Sequence, residues 1–271
     1  MNSLFNISNK TVIITGGAGV LGGSMANYLA KQGANIAIIS RNENSVNNKI
    51  KELLEITSNV IGIPCDVLNE DNLNSAKNSI LDKWGTIDVL INAAGGNLPG
   101  ATIGEHQTIF DLKMDDFRTV SKLNLDGSVL PSLVFGKVMS KQGFGNIINV
   151  SSMAAISAIT RVVGYSASKA AIDNFTKWMA TEMAQKFDGK IRVNAIAPGF
   201  FIGNQNRALL TNDDGSYTDR GNTIIKNTPM NRFGNADELN GTVHWLMSDA
   251  ASFVTGTIIP IDGGFSAFSG V

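Results

Sequence analysis

Seven short runs rich in Val and Ile, apolar almost throughout, are spaced along the chain with longer stretches of helical periodicity between them. Few folds accept that alternation. The runs cover 11–15, 35–40, 60–64, 89–92, 146–151, 192–197 and 257–260. A strand with one face in water would alternate apolar and polar residues; these mostly do not, so both of their faces are expected to be covered. Between them, 20–32, 45–56, 73–84, 115–141, 165–187 and 236–248 read as helices. Repeated strand–helix units imply right-handed crossovers, which predicts an α/β fold: one doubly wound parallel sheet of about seven strands with helices on both faces. No linker rich in Pro, Gly or Ser divides the 271 residues, so a single domain over 1–271 is expected. Two segments, 95–112 and 200–229, fit neither strand nor helix. Loops of that length inside a compact domain are usually functional, and 200–229 is read as a substrate lid.

Composition narrows the partners. Hydrophobic residues make up 43% and charged residues 17%, as in an ordinary globular core. A net charge of −1 lacks the basic footprint of a nucleic-acid binder. No run of about 18 apolar residues could span a membrane, and the first residues lack the charged and apolar regions of a signal peptide. A soluble, cytoplasmic protein is expected. One cysteine, Cys65, excludes an internal disulfide framework, and with only His106 and His244 beside it no metal site is expected.

The turn Thr15-Gly-Gly-Ala-Gly-Val-Leu-Gly22 joins the first strand to the first helix. A glycine-rich turn alone is a weak signal, since tight turns need glycine anyway. At the first strand–helix junction it points to a dinucleotide-binding (Rossmann) sheet, because glycines let backbone amides approach a pyrophosphate and the helix N-terminus supplies partial positive charge. Gly16, Gly19, Val20, Leu21 and Gly22 are the expected contacts. An acid ending the second strand would bind the ribose 2′-hydroxyl of NAD, whereas an arginine there accepts the 2′-phosphate of NADP. This chain has Ser40-Arg41-Asn42 and no carboxylate before Glu43, which favours NADP(H) over NAD(H) through Arg41. An Arg41 left as a surface cation, with NAD(H) held by backbone contacts, is the alternative.

Tyr165 and Lys169 are four residues apart, with Ser152 thirteen residues before the tyrosine. On a helix, such a spacing puts ammonium and phenol on one face, one turn apart. A free tyrosine titrates near about 10, so acid/base work near neutrality needs a pKa lower by roughly 3, worth about 4 kcal/mol. A close ammonium pushes in that direction. Taken alone, the pair would be a surface tyrosine and a solvated lysine, and Ser152 a turn or cap residue.

With these pieces in order the chain resembles the short-chain dehydrogenase/reductase family over essentially its whole length. The matching motifs are Thr15 to Gly22, Cys65-Asp66-Val67, Asn92-Ala93-Ala94-Gly95, Asn124, Ser152, Tyr165 with Lys169, Asn194 and Pro198-Gly199. The resemblance implies that Tyr165 is the acid/base and that Ser152 holds the substrate oxygen. It implies that Lys169 binds the nicotinamide ribose and lowers the tyrosine pKa, and that Asn124 carries a water of a proton relay. It also implies that Asp66 contacts adenine, with Val67 beside it, that the Asn92–Gly95 segment supports the cofactor ribose, and that Pro198 and Gly199 belong to the cofactor site. A homotetramer is implied as well. Three positions depart from the family pattern: Val20 stands where glycine is usual, Ala93 replaces an asparagine, and Gly203 takes the place of a threonine.

Within the family, the loop and tail sequences around 94–102, 197–210, 228–234 and 262–271 are similar to those of D-mannonate oxidoreductases (fructuronate reductases) of this fold. That likeness implies reversible reduction of D-fructuronate to D-mannonate. A sugar acid needs a cation for its carboxylate, and arginine offers the planar fork that fits. Arg161, four residues before Tyr165, and Arg207 are the candidates, with Asn97, Gln205 and Asn206 for hydroxyls and Arg220 more distant. Two other readings remain open. One is a reductase of another ketone, a polyol or an acyl thioester; the other is a noncatalytic dinucleotide-binding regulator.

Overall fold

In the computed structural model, which describes residues 3–203 and 206–270, strands form where the chain is apolar on both faces. They are β1 (Thr11–Thr15), β2 (Asn35–Ser40), β3 (Val60–Pro64), β4 (Val89–Asn92), β5 (Gly145–Val150), β6 (Ile191–Pro198) and β7 (Ile258–Ile261). All pair in parallel, in the order β3-β2-β1-β4-β5-β6-β7. The helices are α1 (Val20–Lys31), α2 (Glu43–Leu54), α3 (Glu70–Trp84), α4 (Met114–Ser121), α5 (Gly127–Gln142), α6 (Val163–Lys186), α7 (Arg207–Leu210), α8 (Asp219–Lys226) and α9 (Asn240–Met247). Successive residues of a strand serve opposite layers. Val12 and Ile14 pack with Met25 and Leu29 of α1 and Val243 of α9. Ile13 packs in the layer of Leu73 (α3), Phe135 (α5) and Met179 (α6). Each such fully buried side chain contributes about 1.5–3 kcal/mol. The strand order reverses between β1 and β4, and the crevice beyond their carboxyl ends is where sheets of this kind bind ligands.

A buried polar ladder crosses the middle of the sheet. Ser128 Oγ donates to the Asn124 carbonyl (3.1 Å) and Ser132 Oγ to that of Ser128 (2.7 Å). Asn92 Nδ2 donates to Ser132 Oγ and to Asn149 Oδ1, both at 2.9 Å, and Asn149 Nδ2 donates to Thr176 Oγ1 at 2.9 Å.

Three regions differ from what periodicity suggests. The single helix expected over 115–141 is broken into α4 and α5 by a π-helical turn, Lys122–Asp126. Two side chains take carbonyls of the turn, Asn124 that of Val120 (2.9 Å) and Ser128 that of Asn124, while Asn124 is also tied to Gly96 outside the helix. The segment 200–229, which shows no clear periodicity, contains α7 and α8 around a small core of Leu210, Ile224 and Phe233. Gly221 inside α8 obscures the pattern, and it is there because a Cβ would lie 2.4 Å from the Leu210 carbonyl oxygen. The segment 95–112 holds short 3-10 turns at Pro99–Ala101 and Ile109–Asp111. The chain end folds back on the same side, with Phe265 edge-on to Phe200 at 5.2 Å.

Candidate active site

Three helices begin under a side-chain cap: Asn42 accepts from Ser45 N (2.8 Å), Asn69 from Asn72 N (3.0 Å) and Thr218 from Gly221 N (3.1 Å). The start of α1 is different. Its N-cap is Gly19, which has no side chain to offer, so the amides of Val20, Leu21 and Gly22 are left for an anion. Gly16 has φ +65°, and a Cβ there would lie 2.7 Å from the Ala93 carbonyl oxygen; one on Gly22 would lie 2.6 Å from the Gly16 oxygen. The turn therefore sits flush against the Ala93–Ala94 backbone at the end of β4. The residues fit a dinucleotide: a bare turn, uncapped amides and the switch-point crevice coincide.

Two hydroxyls that the sequence reading passed over fasten this cradle. Thr15 Oγ1 accepts from the amides of Ala93 and Ala94, both at 3.1 Å, and Ser40 Oγ accepts from Ala18 N at 3.3 Å. Their signal was their place, each the last residue of a strand ending at the crevice. Arg41 follows β2 and is exposed. Asp66, past β3, accepts from Leu68 N at 3.0 Å, and the Val67 side chain is buried in the core. Asn92 is 1% exposed and its side-chain nitrogen donates to Ser132 and Asn149, so its side chain braces the Asn92–Gly95 segment from within the sheet. Gly199 N donates to the Ile261 carbonyl (2.9 Å), which fixes Pro198-Gly199 against the end of β7.

Tyr165 and Lys169 lie one turn apart on α6, with Lys169 Nζ 5.6 Å from the tyrosine ring centroid. Lys169 is 4% exposed and donates to the Val150 carbonyl at 2.7 Å. Burial pushes its pKa down to about 8, opposed by the Asp173 carboxylate one turn further along. Burial also raises the pKa of the Tyr165 phenol, and the Ser152 hydroxyl draws it back. The helical spacing suggests a depressed phenol; here burial raises it instead, and the ammonium is held toward Val150. Ser152 Oγ accepts from Ala154 N at 3.1 Å and so caps the short turn after β5. The adjacent Ser151 is buried and donates to Asp173, which leaves Ser152 as the hydroxyl facing Tyr165.

Asn124 is fully buried in the π turn. Its Nδ2 donates to the Gly96 carbonyl (2.7 Å) and its Oδ1 accepts from Gly96 N (3.0 Å). A Cβ on Gly95 would lie 2.7 Å from Asn124 Oδ1 and 3.4 Å from Lys169 Nζ, so Gly95, Asn124 and Lys169 form one cluster.

The substrate candidates divide. Asn97 Nδ2 donates to Thr102 Oγ1 (2.7 Å), while its Oδ1 is buried without a partner among the described residues. Asn206 is occupied with its own loop, accepting from Gly203 N (2.7 Å) and donating to the Phe201 carbonyl (2.9 Å), so it is a loop brace. Arg207, the first residue of α7, is exposed. Gln205 lies outside the described residues. Arg161 is half-buried in the turn before α6 and bonded to Ile103.

Comparison with known proteins gives matches along nearly the whole chain. The family model that fits residues 17–266 is described as enoyl-(acyl carrier protein) reductase. An uncharacterised oxidoreductase of Bacillus subtilis is 46% identical over 275 residues, covering 98% of both chains. The 7α-hydroxysteroid dehydrogenase of Escherichia coli is 29% identical, covering 96% of this chain and 98% of its own. Among solved structures, a candidate D-mannonate oxidoreductase of Haemophilus influenzae, with NAD bound, has a TM-score of 0.90 at 44% identity, covering 98% of each chain.

Proposed function

The chain belongs to the short-chain dehydrogenase/reductase family, oxidoreductases acting on CH–OH groups with a nicotinamide dinucleotide, and on that premise we propose that it interconverts D-fructuronate and D-mannonate. The observation that carries the substrate is the 44% identity over 98% of both chains to the Haemophilus protein taken to be a D-mannonate oxidoreductase. The cradle of Gly16 to Gly22, with Asp66, Ala93 to Gly95 and Pro198-Gly199 around it, would hold the dinucleotide. Bound there, the cofactor supplies or takes up the hydride.

The chain's own residues manage the proton and the developing charge. In reduction, Tyr165 Oη gives its proton to the ketone oxygen, and in oxidation the phenolate takes the alcohol proton. Ser152 Oγ hydrogen-bonds the same oxygen and holds Tyr165 in line with it. Because burial raises the phenol pKa, Tyr165 is in its acid form at neutral pH, ready for reduction; oxidation, which needs the phenolate, speeds up as pH rises. Lys169, its charge retained below about pH 8, stands beside the ring and would hold the nicotinamide ribose. Asn124 fixes Gly96 and closes the cluster through which a water relay would pass.

Arg41, exposed past β2, offers a partner for a 2′-phosphate, and we assign the preference to NADP(H). A higher kcat/KM with NAD(H) would overturn that assignment. Residues 200–229 serve as the lid, and the molecule works as a cytoplasmic homotetramer, an assembly that light scattering measures directly. A spectrophotometric screen of hexuronates, polyols and model ketones against both reduced cofactors tests the whole reading. D-fructuronate is expected to be reduced faster than D-fructose; turnover confined to acyl thioesters or steroids would sink the proposal.

A further inference from the structure

Arg161 has a left-handed backbone, φ +77°, which a residue with a Cβ adopts only at some energetic cost. The strain is held by a reciprocal pair of contacts: Ile103 N donates to the Arg161 carbonyl (2.9 Å), and Arg161 Nε donates to the Ile103 carbonyl (2.8 Å). Anchoring through Nε leaves Nη1 and Nη2 without protein acceptors among the described residues. Arg220, on α8, reaches the residue next door. Its Nη1 is 3.4 Å from Thr160 Oγ1 and its Nη2 is 3.3 Å from the Thr160 carbonyl, long contacts for a charged donor.

Both side chains are half-buried, and burial first, then the charge of Arg161, lowers the Arg220 pKa. The ion pairs among the described residues join Lys10 to Asp249, Lys49 to Glu52, Arg118 to Asp115 and Arg232 to Glu238; neither of these arginines is included. Two like charges brought together where each is half-buried, with no counter-ion, repel, and an anion that joins them relieves the repulsion. The segments that carry them follow the carboxyl ends of β5 and β6, and the Ile103 anchor follows that of β4, all on the ligand side of the sheet.

We infer that Arg161 and Arg220 form a two-arginine clamp for the carboxylate of the substrate, drawing α8 onto the turn before Tyr165 when an acid is bound. The clamp rests on the sugar-acid reading above and gives it a specificity device.

The test compares kcat/KM for D-fructuronate with that for D-fructose, which has an alcohol in place of the carboxylate. Arg161→Gln and Arg220→Gln should each lower the acid-to-neutral ratio at least tenfold, and Arg220→Lys less, because it keeps the charge but not the fork. A ratio unchanged within twofold in the double variant overturns the clamp. Thermal unfolding of the ligand-free protein gives a second readout: Arg220→Gln should unfold at the same or a higher temperature, since it removes repulsion, and a clear fall would mean that Arg220 only braces Thr160. The substrate reading can fail separately. If another ketone is the substrate, D-gluconate should still inhibit its reduction and lose that effect in Arg161→Gln; no inhibition of the unmodified protein by sugar acids overturns the clamp itself.

Discussion

At the scale of the residue, Tyr165 and Lys169 carry opposite pKa shifts with the same cause. Burial disfavours the phenolate of one and the ammonium of the other, so each leans toward neutrality. Tyr165→Phe removes the proton and keeps the ring, and it should lower kcat by about 10²–10⁴-fold. The dinucleotide should still bind, as read by its fluorescence; substantial remaining turnover would refute the proton role. Lys169 should weaken the fold it serves. Its pKa falls from 10.5 to about 8 on folding, so between those values the unfolded chain holds a proton that the folded chain has released. Stability therefore rises with pH across that window, and the full penalty persists below about 8. Lys169→Met should be inactive yet more stable at pH 7, by up to about 3 kcal/mol. Denaturant titrations should show the gain flat below pH 8 and vanishing by about pH 10.5; a variant less stable than the parent at pH 7 would refute this account.

At the scale of the element, the break between α4 and α5 matters most. Periodicity predicts one helix because every turn but one satisfies it. The exception depends on Gly96, 28 positions before Asn124, which no local pattern reveals. The same holds for the segment 200–229, where α8 is short and carries a glycine for steric reasons, and for Arg220, whose contact with Thr160 spans 60 positions. By contrast the strands, the glycine turn and the Tyr165–Lys169 spacing were legible, since buried parallel strands and a bare helix start leave local signatures. Asn124→Ala should strip the Gly96 amide and carbonyl of their partners and cost about 1–3 kcal/mol. If the π turn exists to present Asn124, the variant should also lower kcat more than it raises KM, and an unchanged kcat would count against that role.

At the scale of the whole molecule, the cofactor cradle draws on the ends of β1, β2 and β4 and the start of α1, so binding should couple to global unfolding. At a hundredfold excess over its Kd the dinucleotide should add about 2.7 kcal/mol, a rise in Tm of roughly 5–10 °C. Scanning calorimetry checks it, and an unmoved transition would mean that the cradle does not bind. The polar ladder at the centre of the sheet has another consequence. A strand apolar on both faces can slide by one residue and still bury everything it presents, so hydrophobicity alone leaves its alignment ambiguous. Asn92 is paired with Asn149 across β4 and β5, and a one-residue slip would strand both amides in the core. Those two asparagines make misaligned pairing of β4 with β5 expensive, while on its other side the Thr15 hydroxyl, taking the Ala93 and Ala94 amides, holds the end of β4 against β1.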